Sequence, residues 1–157
     1  MTEPFFEQQH GYYLEDIAVG MRAVFAKTIT DADVVLFAGI SGDTNPLHIN
    51  EAFASRTRFK TRIVQGMLTT SLWSTIVGTR LPGPGGAYMR QELRFLKPVH
   101  VGDTVTAIMT VVDIDERKQR ITLDAECRVA DAVVASGSGV VWVPRKTVGS
   151  DGERRSS

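Results

Sequence analysis

The stretch 63–79 constrains the fold most, because it runs for seventeen residues without a charged side chain. Apolar residues recur in it at the spacing of an α-helix, and Trp73 and Val77 widen the apolar stripe to almost the whole circumference. Six serines and threonines, two glycines and Gln65 make the stretch too polar for a bilayer, and it is slightly short for one. We therefore predict a helix buried in the centre of the protein.

Everything after Gly86 has the alternating pattern of β-strands. The alternation is strictest from Ile121 to Val129, where apolar residues take turns with Thr, Asp, Glu and Arg. Further runs of this kind cover 89–95, 105–111 and 133–143. Long antiparallel strands must bury one face, and the central helix must be covered. The sequence thus predicts an α+β protein in which an antiparallel sheet wraps around the helix, the hot-dog arrangement.

The chain before the central helix predicts one strand and a helical overhang. A strand is expected within 21–29, and 12–17 fits either a short strand or a turn. Thr30 is a good N-cap for a helix that ends near Gly39 or Gly42. Asn50 can cap a second, short helix. The overhang, residues 30–62, is then an insertion that lies over one end of the central helix.

Length and composition limit the remaining possibilities. A chain of 157 residues is most simply one domain, which we place at 12–144, with a loose lead-in over 1–11 and a disordered tail over 145–157. Eighteen basic and eighteen acidic residues cancel, so neither nucleic acid nor an anionic membrane is expected as the main partner.

The cysteine and histidine content also narrows the chemistry. Cys127 is the single cysteine and lies on the apolar side of a predicted strand, which favours a core residue over a nucleophile. The chain begins without the features of a secretory signal, and we expect a cytoplasmic protein. Three scattered histidines give no ligand cluster, so we predict no metal and no cofactor, with His10 and His100 as exposed bystanders.

The segment 41–48 is the candidate site, because it brings a carboxylate, a carboxamide and an imidazole together between forced turns. Gly42 permits a sharp turn, and Pro46 fixes its own φ. Asp43 and His48 should therefore lie on either side of a rigid kink that aims both side chains at one point. Two such groups can move two protons in general acid–base chemistry. Taken alone, the same pattern is more often a plain turn.

Three stretches of the chain are recognisable together: Phe37 to His48 with its Asp-x-Asn-Pro-x-His core, Ile63 to Met67, and Leu93 to Asp103. They resemble the MaoC-like dehydratases, and more narrowly the (R)-specific enoyl-CoA hydratases. The resemblance extends from Tyr12 to Pro144. It implies a single hot-dog domain that forms a homodimer by joining two sheets, and that can assemble further. It also implies reversible syn addition of water to a trans-2-enoyl-CoA, in which coenzyme A is part of the substrate.

The resemblance also assigns roles to residues. It implies that Asp43 and His48 hold the catalytic water, that Asn45 supports them by hydrogen bonding, and that the backbone N–H of Gly66 polarises the thioester carbonyl. This last role is physically sensible, because an N–H at a helix start stabilises negative charge on the thioester oxygen. The chain departs from the family at Gln65, where many relatives carry His.

The anionic phosphates of coenzyme A need local cations, because the protein has no net positive charge. Arg56, Arg58, Lys60 and Arg62 occupy alternate positions shortly before Gly66, so they form either a solvated loop face or an anion contact. We predict Lys60, Arg62 and Lys97 as substrate-binding residues. The sequence leaves open which of Asp43 and His48 gives or takes each proton. It also leaves open the preferred acyl chain, although a short chain such as crotonyl is expected.

Two other functions fit the same fold. A hot-dog thioesterase usually draws a carboxylate from its central helix, and 63–79 has none. A non-catalytic acyl-CoA-binding module would have no need for Asp43, Asn45 and His48 together. Both remain alternatives that the sequence does not exclude.

Overall fold

The computed structural model describes residues 3–146, which form a five-stranded antiparallel sheet and the helices that cover it. The helices are α1 (Glu3–Gln9), α2 (Asp31–Ser41), α3 (Pro46–Ile49), α4 (Glu51–Ala54) and α5 (Gly66–Thr79), with one 3₁₀ turn at Leu14–Asp16. The strands are β1 (Arg22–Thr28), β2 (Ala87–Phe95), β3 (Thr104–Asp115), β4 (Arg120–Val129) and β5 (Ala132–Trp142). The fold is the predicted α+β hot-dog arrangement.

The sheet has the order β1-β3-β4-β5-β2, with the β3–β4–β5 meander in its middle. The predicted alternation is confirmed there. Eight inward side chains of β3 and β4 are buried: Val105, Ala107, Met109, Val111, Ile121, Leu123, Ala125 and Cys127. Val129, at the end of β4, is partly buried. A register in which alternate residues face the core leaves the charged residues between them on the outer face.

The edge strand β2 differs from its neighbours. Its alternating sequence predicts one buried apolar face, but Met89 and Phe95 are each more than half exposed. This prediction is wrong because β2 lies at the end of the sheet, with β5 on one side and, among residues 3–146, no strand on the other. An exposed apolar edge strand is a surface on which another chain can pair.

The central helix α5 is confirmed and packs its apolar face on the sheet through Leu72, Trp73 and Ile76. The Trp73 indole donates a hydrogen bond to Glu126 O at 3.1 Å, which satisfies its polar atom within the core. One stripe of the helix is nevertheless exposed, consisting of Met67, Ser71, Ser74 and Gly78. The sheet therefore curves over one side of α5 and does not enclose it.

The overhang folds as its caps predict. Thr30 Oγ1 accepts a hydrogen bond from the N–H of Asp33, and the Asp33 carboxylate accepts from the N–H of Thr30, which completes a capping box at α2. Helix α2 ends at Gly42, whose φ of 76° is left-handed and costs glycine little. The predicted kink is itself one helical turn, α3, with Asn45 as its N-cap and Pro46 in its first position.

The N-terminal prediction needs correction. A loose lead-in was expected over 1–11, but residues Glu3–Gln9 are helical, with Pro4 in the first turn where proline is tolerated. Phe5 and Phe6 both remain exposed in this helix. The helix therefore has no buried apolar stripe whose spacing could have predicted it. The stretch 12–17 contains a 3₁₀ turn, in agreement with the turn alternative.

The segment 14–16 lies beside the C-terminal end of the described chain. The N–H of Leu14 donates to Pro144 O at 2.9 Å, Arg145 pairs with Glu15 at 3.3 Å, and Lys146 pairs with Asp16. The tail predicted for 145–157 is thus held in place at its first two residues, and 147–157 lie outside the described residues. Within 3–146, the helices are too short or too polar to cross a membrane.

Candidate active site

The kink brings the two predicted acid–base residues together. Asp43 Oδ2 lies 3.7 Å from His48 Nε2, and the imidazole side chain is 10% exposed whereas the carboxylate is 45% exposed. This distance is too long for a direct hydrogen bond. It leaves room for one oxygen atom that contacts both groups at ~2.8 Å, as a bridging water does.

The tautomer of His48 follows from its other nitrogen. Nδ1 lies 2.8 Å from the backbone oxygen of Ile63, which can only accept a hydrogen bond. In the neutral imidazole Nδ1 therefore carries the proton, and Nε2 faces Asp43 with its lone pair. Burial of the ring and this single contact fix its orientation, so His48 can accept a proton at Nε2.

Asn45 shapes the turn that carries Asp43. Its Oδ1 accepts from the N–H of Leu47 at 3.1 Å, and its own N–H donates to Asp43 Oδ1 at 3.3 Å. On the other side, the N–H of Asp43 donates to Ser41 Oγ at 3.1 Å. The Asp43 carboxylate is thereby oriented by the backbone of Asn45, while the Asn45 amide itself caps α3.

An open cavity of about 440 Å³ extends from Asp43 to the start of α5. Gly66, the first residue of that helix, lines it, and an N–H in the first helical turn has no partner inside its own helix. The Phe95 ring lies directly over this glycine, because a Cβ built on Gly66 would be 2.7 Å from Phe95 Cε1. The other walls are largely apolar and include Phe59, Ile63, Met67, Leu96, Val99 and Val134.

The predicted cations divide into two groups. Lys97 lines the cavity, but Lys60 and Arg62 do not. Arg62 is held by Asp31 at 2.8 Å and by Glu51 at 3.6 Å. The prediction for Lys60 and Arg62 relied on their nearness to Gly66 in sequence. The chain turns before it reaches Gly66, and Lys60 lies in this turn with a φ of 64°.

Sequence reasoning missed several residues of the site. Arg58 lines the cavity although only its neighbours in the basic run were selected. Phe95 and Val134 reach the cavity from β2 and β5, whose pairing brings together positions far apart in the chain. The alternating pattern of β2 placed Phe95 on a strand face but could not show that Gly66 lies beneath it.

The remaining candidate groups lie away from the cavity. His10 and His100 are partly buried, not exposed as predicted, and His10 stacks on Tyr13 with a centroid distance of 4.1 Å. Cys127 is fully buried, and this burial raises the pKa of its thiol to about 12, in agreement with a core residue. Across the described range 3–146, His, Cys, Asp and Glu side chains do not gather into a group of three or more that could hold a metal ion.

Comparison with known proteins gives a consistent result. The profile described as "MaoC like domain" matches residues 16–133. The chain belongs to the MaoC-like family. It is 50% identical over 135 residues to an (R)-specific enoyl-CoA hydratase of Rhodospirillum rubrum, covering 86% of this chain and 94% of that protein.

Two further MaoC-like relatives extend this result. A 3-hydroxybutyryl-CoA dehydratase of Methylorubrum extorquens is 46% identical over 134 residues, covering 85% of each chain. The solved structure of the (R)-hydratase from Aeromonas caviae involved in PHA biosynthesis superposes with a TM-score of 0.81 at 41% identity. The superposition covers 83% of this MaoC-like chain and 99% of that structure.

Proposed function

We propose that this protein is an (R)-specific enoyl-CoA hydratase, a hydro-lyase that adds water reversibly to a trans-2-enoyl-CoA to give an (R)-3-hydroxyacyl-CoA. The observation that carries the proposal is the 3.7 Å gap between His48 and Asp43, together with the position of Asp43 at one end of an apolar cavity that Gly66 also lines. The catalytic functions of its relatives, named above, support the same reaction class.

In the hydration direction, a water molecule held by Asp43 and His48 loses a proton to His48 Nε2 while its oxygen bonds to C3 of the enoyl group. The resulting imidazolium returns that proton to C2, and Asp43 stabilises the transient positive charge. The hydroxyl group and the proton both reach the enoyl group from the side that faces His48. They therefore add to the same face of the double bond, which is syn addition. The reverse sequence dehydrates the hydroxyacyl thioester.

The thioester oxygen needs stabilisation while C3 is attacked, because negative charge develops on it. The free N–H of Gly66 stands at the positive end of α5 and serves as this donor. Asn45 keeps the Asp43 turn rigid and so has a supporting role. The reaction requires proton transfer and one hydrogen-bond donor, and the proposal includes no metal or other cofactor.

The cations on the cavity suggest where coenzyme A lies. Arg58 and Lys97 both line it, and we assign the phosphates to this side, with Lys60 and Arg62 in no direct role. The other walls of the cavity are largely apolar, which suits a short acyl chain such as crotonyl.

The proposal also includes a homodimer in which the exposed β2 edges pair across a two-fold axis, with assembly of dimers beyond that. In this arrangement the partner subunit would cover Met89 on β2 and the exposed stripe of α5 that begins at Met67. A free thiol buried at Cys127 suits a protein that works in the reducing cytoplasm.

Incubation with crotonyl-CoA tests the reaction. A hydratase removes the enoyl absorbance without releasing thiol and forms the (R)-hydroxy product, which chiral chromatography identifies. Release of free coenzyme A would indicate a thioesterase. Binding without either change would indicate an acyl-CoA-binding module and contradict the proposal.

A further inference from the structure

Gln65 is the polar residue least explained by the fold. It is 1% exposed, and within residues 3–146 its Oε1 is the one buried side-chain oxygen or nitrogen without a hydrogen-bond partner in the protein. It occupies the N-cap position of α5 but makes no side-chain cap bond to that helix. An unpaired buried acceptor is unfavourable, so the amide must contribute something that an apolar side chain would not.

The amide of Gln65 joins two parts of the proposed site. Its Nε2 donates to Val34 O in the middle of α2 at 3.1 Å. An α-helix already supplies that carbonyl with a partner four residues further on. The bond is therefore not needed to satisfy Val34 O. Instead, the bond holds the start of α5 against α2, the helix that leads directly into the turn that carries Asp43.

The segment 63–66 is attached to the overhang at two more points. The N–H of Ile63 donates to Leu47 O at 3.2 Å, and His48 Nδ1 bonds Ile63 O at 2.8 Å. Both of these bonds reach α3. Gln65 supplies the link to α2, and it does so from the residue directly before the Gly66 N–H.

We propose that Gln65 is a positioning residue that fixes the Gly66 N–H relative to the Asp43–His48 pair. The proposal rests on the function proposed above, because it assumes that both parts act on one substrate. It explains why a buried amide with one unpaired atom occupies this position. Small displacements of reacting groups lower turnover strongly, whereas binding of the distant coenzyme A portion is unaffected.

The variant Gln65→Met tests the role. Met has nearly the same length and flexibility, removes the unpaired oxygen and leaves Val34 O with its helical partner. We expect an equal or higher melting temperature, a kcat for crotonyl-CoA lower by ~10-fold or more, and little change in KM. Gln65→His returns an N–H donor to the position and should recover most of the lost turnover.

A matched control comes from the same helix. Trp73→Phe also removes a buried bond from a side chain to a backbone oxygen, but that oxygen lies on β4, away from the overhang. Its kcat should stay close to that of the wild type even if the melting temperature falls. A normal kcat in Gln65→Met would overturn the proposal. So would failure of that variant to fold, or equal losses of kcat in Gln65→Met and Trp73→Phe.

A second readout does not depend on turnover. In ¹⁵N-labelled protein, Gln65→Met should shift the Nδ1–H and ring nitrogen signals of His48, a residue distant from it in sequence, and Trp73→Phe should shift neither. If the wild type fails to hydrate enoyl-CoA thioesters, the proposed function is wrong, and these signals still decide whether Gln65 joins the two parts. Unchanged signals in Gln65→Met would overturn the positioning role by themselves.

Discussion

At the scale of single residues, the first prediction concerns the catalytic roles of Asp43 and His48. We expect Asp43→Asn and His48→Gln each to lower kcat by ~10²–10⁴-fold, because each removes a group that holds or moves the proton of water. Circular dichroism should be unchanged for Asp43→Asn, since that side chain is 45% exposed. His100→Gln, which alters a histidine that lies beside Asp103 and not beside Asp43, is the control and should remain active. Near-native turnover in a folded dyad variant would contradict the assignment.

The contact between Gly66 and Phe95 gives a second prediction. In Gly66→Ala the new Cβ would lie 2.7 Å from Phe95 Cε1, so the exposed ring must move and change the shape of the cavity. We expect kcat/KM to fall. Removing the ring first, in Phe95→Ala, should make the added Gly66→Ala change much less harmful, since the two effects share one contact. Additive losses in this double-mutant cycle would show that the ring is not the cause.

The cations are expected to act on binding alone. Lys97→Ala should raise KM for crotonyl-CoA a few-fold with little change in kcat, and the effect should shrink as salt is added. Arg62→Ala is the comparison, because Arg62 is engaged by Asp31 and Glu51 and does not line the cavity. A larger increase in KM for Arg62→Ala than for Lys97→Ala would support the original prediction that Arg62 binds the substrate. A fall in kcat at Lys97 would place that residue in the chemistry.

At the scale of elements, the capping box of α2 makes stability depend on pH. Hydrogen bonds from the backbone N–H and hydroxyl of Thr30, together with Lys27, hold the pKa of Asp33 below its ordinary value. A lowered pKa stabilises the folded state above the unfolded value of ~3.9, and this contribution is lost as pH falls through the folded value. Asp33→Ala should therefore lower the free energy of unfolding at pH 7, by roughly 0.3–1 kcal/mol as is typical of a carboxylate in the first turn of a helix.

Urea unfolding of both proteins between pH 7 and pH 3 measures this contribution. The difference between Asp33→Ala and the wild type should narrow at the acid end, because the wild-type carboxylate becomes protonated there. A difference that stays constant over the whole range would mean that Asp33 does not act through its charge.

The elements that the sequence predicted are those whose own pattern decides their structure. Helix α5 and strands β3 and β4 have apolar periodicity that a core must satisfy, and the caps at Thr30 and Asn50 are local hydrogen bonds. Helix α1 lacks such a stripe and was missed. The cavity was predicted only in part, because the positions of Phe95 and Arg58 depend on strand pairing and loop direction, which no local pattern contains.

At the scale of the whole molecule, the edge strand β2 predicts the assembly. We expect a dimer at micromolar concentration in light scattering, and Met89→Arg should weaken it by bringing like charges together across the two-fold axis. Val112→Arg is the matched control, since Val112 is 49% exposed on β3 and Met89 is 53% exposed on β2. A monomeric wild type would contradict the dimer. Equal effects of the two variants would exclude β2 as the interface.

The adjacency of Leu14 and Pro144 has a consequence for how the chain can be rewired. A short linker between residues 146 and 12 would close the backbone into a ring without stretching any strand, because the two segments are already bonded to each other. New termini could then be opened at the exposed Ala130–Asp131 turn. Such a circular permutant would keep the overhang and α5 on one uninterrupted stretch of chain, whereas Val134 and Ala135 of the cavity wall would move to the N-terminal side of the linker.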